Sequence, residues 1–405
     1  MLGGELVATG SSSCVFTPNI PCKKNGKISN KLISKIVYGE GAYKESKNEK
    51  RMNDKIKSIK GYSKWALIFD EYCKPMKKDI LEDYDSSGLN DCFSEEEELY
   101  LIDDFDINSY MMNGIYGGIT LNEYFEKVFY NKTSNTKSFS DEFYDLMKRI
   151  EPLFLGLKVM NEKKMVHNDI KYNNIVMHND VFKYIDFGLS ELSSKKQHFK
   201  NRSLDELNTG RIYLFYSLDY LLYYANKHQL NQEVSNIENG IFRRNFYQLD
   251  QIMKLFSTNI FDNYFSVREM LNNKKISEIK MIQEIDVYSL GILIPLLFLF
   301  NTKNVDSKEP SYEFNRKILS KNKMVQEFFT LFAMMINISP NERIQPEYAY
   351  KEFKRLLNKF KKRNNKNMSS SKRTKRTKRT KRTKRTKRAK RGYINGRRAN
   401  RRQIT

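Results

Sequence analysis

The stretch His167-Asn168-Asp169-Ile170-Lys171-Tyr172-Asn173-Asn174, followed twelve residues after Asn174 by Asp186-Phe187-Gly188, constrains this chain more than any other feature. Two brief strand-like runs, NNIVM and FKYIDF, lie between these groups and flank the turn-like His178-Asn179-Asp180. Phosphoryl transfer asks for little covalent help. It requires a carboxylate facing the attacking hydroxyl, oxygen ligands for Mg²⁺ and cations on the phosphates. The stretch supplies each: Asp169 as base or orienter of the hydroxyl, Lys171 as a cation near a γ-phosphate, and Asn174 with Asp186 as hard oxygen ligands.

The pattern around this stretch is uneven along the chain. From Leu6 to about Ile36, the β-type runs ELVATG, CVFTP and KLISKIV are punctuated by Gly, Pro and Asn and predict a small antiparallel sheet. Glu49, Met52, Ile56 and Ile59 fall at helical spacing, an apolar stripe with a carboxylate at its upper end. Asp79 to Glu98 is acidic and turn-rich, an expected exposed excursion, and strand-like YLIDDFDINSYMM leads into Gly114 to Gly118, a candidate hinge. Beyond it, LNEYFEKVFY and DEFYDLMKRIEPLFLGLKVMNEKK repeat apolar residues every three or four, and helical periodicity returns from about Tyr213 to Phe360. The expectation is an α+β, bilobal chain: a small β-rich lobe over 1–115 and a larger α-rich lobe over 116–360. The most apolar run, Val287 to Phe300, is short for a bilayer and contains Ser289 and Pro295, so a buried core helix is expected and no membrane partner.

In their order, these motifs resemble the eukaryotic-type protein kinase family, whose catalytic loop reads HRDxKxxN and whose magnesium loop reads DFG. The resemblance implies a bilobal protein-kinase-like fold, with ATP and Mg²⁺ as cofactors and protein serine or threonine as phosphate acceptor. Lys171, two residues after Asp169, resembles the serine/threonine branch. Lys35 in LISKIV matches the strand lysine that contacts the α- and β-phosphates, and Glu49 the helix glutamate that pairs with it. Glu45 is a rival, but only Glu49 has Met52 and Ile56 behind it at +3 and +7. His167, Phe187 and Gly188 complete the two loops as structural members. Asp286, in IDVYSLGILI, would hold the catalytic-loop backbone, and Arg343, in SPNERI, would pair with an acid closing the activation segment, for which Asp219 is the candidate.

The chain departs from the family in three places. The phosphate-covering pattern GxGxxGxV is represented by Ala8-Thr9-Gly10-Ser11-Ser12-Ser13-Cys14-Val15, where only the middle glycine survives. By resemblance Gly10, Ser11, Ser12 and Ser13 would approach the phosphates, Val15 would pack on the adenine, and the hinge backbone near Ile115 would hydrogen-bond it. Asn168 replaces the usual Arg, which implies independence of activation through an arginine-gripped phosphate. The 67 residues from Asp219 to Asp286 imply an insertion over about 222–280, expected to be helical and packed. A similar elaboration with Asn/Lys-rich composition occurs in kinases of large DNA viruses. A pseudokinase scaffold, a small-molecule phosphotransferase and a nucleic-acid-associated protein tethered by its tail stand as alternatives.

Charge separates the last segment from the rest. Of the net +24, residues from Lys361 onward contribute 22 Lys and Arg with no Asp or Glu, leaving +2 for residues 1 to 360. KRT begins at 372, 375, 378, 381 and 384, and KRA at 387. Such a repeat cannot offset its ordering entropy by burial, so residues 361–405 are expected to be disordered. Its partner would be nucleic acid or another polyanion, bound through counterion release, with a solvating or nuclear-import role as the alternative. Cys14, Cys22, Cys73 and Cys92 form no CxxC pair and read as reduced thiols. The N-terminal MLGGELVATG lacks the pattern of a secretory signal. An intracellular location follows as an expectation, cytoplasm or nucleus, or virion or infected-cell cytoplasm for a viral protein.

Overall fold

A computed structural model describes residues 4–10, 13–22, 27–39, 41–75, 92, 109–129, 136–208, 213–225, 276–299, 322–337 and 339–361. It is an α+β protein with an antiparallel sheet in its N-terminal part and helices through its C-terminal part. Two compact units divide the chain, Met1–Phe353 and Lys354–Thr405. Ser11, Ser12, the expected 79–91 and 93–98 excursion, most of the 222–280 insertion and the 362–405 repeat lie outside the described residues.

Five strands build the sheet: β1 (Glu5–Thr9), β2 (Ser13–Thr17), β3 (Leu32–Val37), β4 (Phe69–Cys73) and β5 (Tyr110–Ile115), in the order β1-β2-β3-β5-β4. The β-branched and apolar residues of LISKIV suit the middle of a pleated, covered surface, and β3 takes that place. Lys35 therefore sits opposite Val15 on β2 and Met112 on β5. Cys14, Phe16, Ile36 and Met111 pack into one buried cluster. Helix α1 (Ala42–Lys57) follows β3, as the spacing predicts; Glu49, Met52 and Ile56 are buried, while Ile59 lies beyond its end. Glu45 in its first turn and Lys55 and Lys57 in its last complement the helix dipole.

The cysteines correct the expectation of reduced thiols. Cys14 is disulfide-bonded to Cys92 and Cys22 to Cys73, with Cα–Cα distances of 6.0 and 5.9 Å. The partners stand 78 and 51 positions apart, so local spacing carried no sign of a pairing that packing around the sheet creates. The thiol argument for a reducing compartment therefore falls away.

Past the Gly117-Gly118 connection, the chain forms α2 (Leu121–Tyr124), a π-helical turn Phe125–Phe129, and α3 (Thr136–Glu162). A Cβ on Gly117 would stand 2.4 Å from Val176 Cγ2, and one on Gly118, whose φ is +81°, 2.7 Å from Met177 O. These two glycines let the connection press against the strand that carries residues 175–178. Short strands follow: β6 (Met165–Val166), β7 (Ile175–His178), β8 (Val181–Tyr184) and β9 (Glu191–Leu192). His178 ends β7 rather than lying in the turn, and Asn179 and Asp180, with φ of 52° and 65°, make the two-residue hairpin connection alone.

Five further helices and a final one complete the described residues: α4 (Lys196–Asn208), α5 (Leu218–Tyr223), α6 (Glu278–Gln283), α7 (Ile285–Leu299), α8 (Lys323–Met335), then a helix over 346–361. The described part of the apolar run, 287–298, is buried core, as expected. Glu278–Phe298 is long and apolar enough by composition to cross a membrane, but 94% of its most apolar 18 residues is buried within the protein. Gly291 lets α7 approach α8, since a Cβ there would stand 2.5 Å from Met335 Cβ. Phe298 meets Phe125, Phe129 and Phe143 at ring separations of 5.2 to 5.5 Å. This packing gives α7 a fixed seat from which Asp286, in its first turn, reaches the backbone of His167 and Asn168.

Candidate active site

Lys35 enters the site from the middle of the sheet, Glu49 from the inner face of α1, and Asp186 from just after β8. Lys35 Nζ lies 2.9 Å from Asp186 Oδ1, 3.2 Å from Glu49 Oε2 and 3.5 Å from Glu45 Oε1. Glu49 is the buried partner, as its apolar neighbours predict, and the rival Glu45 also reaches the ammonium from a partly exposed position. Burial pulls the Lys35 ammonium down, but Asp186, Glu49 and Glu45 outweigh it and hold its pKa well above the ordinary lysine value. Burial pushes Glu49 up to about 7 against the pull of Lys35. For Asp186 burial acts upward too, yet Lys35 prevails and its pKa is lowered.

Backbone geometry aims these groups. Asp186 takes φ of 62°, a left-handed conformation that costs a residue with a Cβ and persists where surroundings impose it. Phe187 beyond it is buried against the His167 ring at 4.7 Å, and His167 Nε2 donates to Ile185 O at 3.1 Å. The segment from His167 to Asp169 hangs on α7: Asp286 accepts from the His167 amide at 2.6 Å and from the Asn168 amide at 3.0 Å. Burial raises the Asp286 pKa, offset in part by His167 and these two amides.

Asp169 is buried, and both of its carboxylate oxygens are engaged. Asn174 Nδ2 donates to its Oδ2 at 2.7 Å and to its backbone carbonyl at 2.9 Å. Lys171 Nζ stands 3.0 Å from Oδ2, and the Tyr213 hydroxyl donates to Oδ1 at 3.0 Å. Burial first, and then the Asp169 charge, raises the Tyr213 pKa, so the phenol is a donor at neutral pH. With Nδ2 committed to Asp169, Asn174 offers Oδ1 as its oxygen ligand, and Asp186 offers the oxygen that Lys35 does not hold. This donor set fits Mg²⁺, which takes one or two protein oxygens and completes its shell with phosphates and water. Among the described residues no group of three or more His, Cys, Asp or Glu could hold a metal by itself.

The remaining sequence-predicted residues fall in two places. Arg343 Nη2 donates to Asp219 Oδ1 at 2.7 Å, with both side chains fully buried. On the sheet side, the Gly10 amide donates to Ser13 O at 2.7 Å, closing the β1–β2 connection; Val15 is half-buried on β2, and Ile115 ends β5 with an exposed side chain. Gly188 lies close by, where a Cβ would stand 3.5 Å from both Asp186 Oδ1 and Glu49 Oε2.

Sequence reasoning missed several members. Asn48 Nδ2 donates to the carbonyls of Gly188 at 2.7 Å and Ser190 at 3.2 Å, and Arg51 pairs with Glu191 at 2.5 Å, so α1 grips the segment after Gly188 directly. Glu284, pushed up to about 7 by burial, accepts from Gln345 at 2.5 Å beside the Arg343 pair. Tyr213 was read only as the start of a helical region. The one sign available for Asn48 and Arg51 was their position one turn or less from Glu49. No family model and no curated protein matches this chain.

Proposed function

We propose that this chain is a protein kinase of the eukaryotic type, with a bilobal kinase layout, that moves the γ-phosphate of ATP onto serine or threonine. The observation that carries the reading is the convergence of Lys35, Glu49 and Asp186, with 151 positions between Lys35 and Asp186, beside an Asp169 bonded to Asn174 and Lys171. Lys35 would hold the α- and β-phosphates, with Glu49 keeping the ammonium aimed. Asn174 and Asp186 would hold Mg²⁺, which neutralises phosphate charge when bound. Asp169 would orient the acceptor hydroxyl and take its proton, and Lys171 would stand at the transferred group. Gly10, Ser13 and Val15, together with the backbone near Ile115, would cover the nucleotide.

Two further assignments belong to the same reading. The Lys/Arg repeat over 361–405 would bind nucleic acid or another polyanion with strong salt dependence. The Asn/Lys-rich composition and the long 222–280 insertion support an origin in a large DNA virus. The test is incubation with γ-labelled ATP, Mg²⁺ and a basic generic protein, followed by acid hydrolysis. Mg²⁺-dependent label on phosphoserine or phosphothreonine is expected. No transfer by a folded, nucleotide-exposed chain contradicts the reading.

A further inference from the structure

The hydrogen bond from Tyr213 to Asp169 places a hydroxyl of the chain itself where a phosphate acceptor belongs. Asp169 Oδ2 is taken by Asn174 and Lys171, at 2.7 and 3.0 Å. Oδ1 is the oxygen that remains for an incoming hydroxyl, and Tyr213 occupies it at 3.0 Å, within the reach a general base needs of the proton it takes. We propose that Tyr213 is an acceptor for this kinase's own phosphoryl transfer, modified within the same chain. The inference rests on the kinase reading and adds a substrate to the same site.

The surroundings hold the phenol in that place from several sides. Its ring packs on Tyr216 at 4.9 Å and on Phe215 at 5.4 Å. Tyr216 in turn donates to the Asn168 carbonyl at 2.7 Å and accepts from Arg202 Nε at 3.2 Å. Arg202 pairs with Glu206 on α4 at 2.7 Å. Tyr213 is thus tied to the catalytic loop both directly and through its neighbour. A tethered acceptor needs no encounter, and that effective concentration offsets the fact that a phenol is not the serine or threonine expected of outside substrates.

The step balances with MgATP as the only co-reactant. Tyr213 Oη forms a bond to the γ-phosphorus, and the bond from that phosphorus to the oxygen bridging it to the β-phosphate breaks. The phenolic proton passes to Asp169 Oδ1, and ADP leaves. Phosphotyrosine can no longer donate to that carboxylate, and its added charge of about −1.5 to −2 opposes Asp169, so Oδ1 becomes free for an outside hydroxyl.

The experiment uses the full chain, treated with phosphatase, freed of it, and incubated with MgATP alone. Fragmentation mass spectrometry must separate Tyr213 from Tyr216, Tyr220, Tyr223 and Tyr224, which share one tryptic peptide. Phosphate on Tyr213 at close to one per chain is expected, absent from Asp169→Ala, with a first-order rate unchanged over a tenfold range of protein concentration. A basic generic protein is assayed in parallel. Transfer to that protein with Tyr213 unmodified overturns the proposal and leaves the kinase reading standing. A rate proportional to protein concentration overturns transfer within the chain. No phosphate on either acceptor overturns the kinase reading and this proposal together.

Discussion

Lys35 and Arg343 are both buried cations facing carboxylates, and they are built in opposite ways. Arg343 pairs with Asp219, both side chains at zero exposure, while its other nitrogens donate to the carbonyls of Asn337 at 2.8 Å and Glu284 at 3.4 Å. Its charge is neutralised and its donors are used. Lys35 faces three carboxylates, and one of them, Asp186, keeps about a third of its side chain exposed. That site carries excess negative charge with an open side, an arrangement that favours an arriving cation. The comparison teaches that burial of a charge does not by itself mark function; under the proposed reading the imbalance and the opening do.

The largest effect tests the sealed pair. Arg343→Ala leaves Asp219 buried and unpaired, and a loss on the order of 3–5 kcal/mol is expected in urea denaturation. Replacing both partners, Arg343→Met with Asp219→Leu, should restore most of it, because the charges are there to satisfy one another. A single substitution that costs less than about 1 kcal/mol, the usual limit for an exposed pair, would break the comparison.

The Lys35 side is sharpened by pH. Glu49 has a folded pKa of about 7 against 4.5 as its ordinary value, so the folded chain binds a proton that the unfolded chain releases. Its contribution to stability is then fully present below about 4.5 and is lost as pH rises through about 7. The stability difference between the wild type and Glu49→Gln should fall across that window, and a difference that stays level contradicts the assigned burial effect.

The smallest effect concerns the grip of α1 on the segment after Gly188. Asn48→Ala removes two donations, to Gly188 O and Ser190 O, worth about 1 kcal/mol each. Amide exchange over residues 186–193 should quicken in this variant while the Arg343–Asp219 neighbourhood stays protected. Equal quickening in both places would mean that the two regions open together and are not distinct.

How much was legible follows from where the information sits. His167 to Asn174, Asp186-Phe187-Gly188 and Lys35 could be read because the chemistry proposed for them needs fixed residue types at fixed spacing, and Glu49 because Met52 and Ile56 mark its helix face. Asp286 and Arg343 were legible through resemblance, and their partners are those expected. Tyr213, Asn48 and Arg51 act through contacts made in space, at sequence separations of 44 for Tyr213 with Asp169 and 140 for Asn48 with Gly188 and Arg51 with Glu191. A tyrosine among many and an Asn on a polar helix carry no local sign of such contacts. The disulfides were missed for the same reason, since two strands and a distant cysteine have to be folded before either pair is near.

The central claim is that Asp169 and Asp186 serve one phosphotransfer site in different roles. It is tested most directly by following γ-labelled ATP turnover and nucleotide binding together in the wild type, Asp169→Ala and Asp186→Ala. Asp169→Ala should bind MgATP nearly as the wild type does and turn over about two to four powers of ten more slowly, the worth of a positioned base. Asp186→Ala should lose the Mg²⁺ dependence of ATP binding. Transfer at the wild-type rate in both variants would contradict the account.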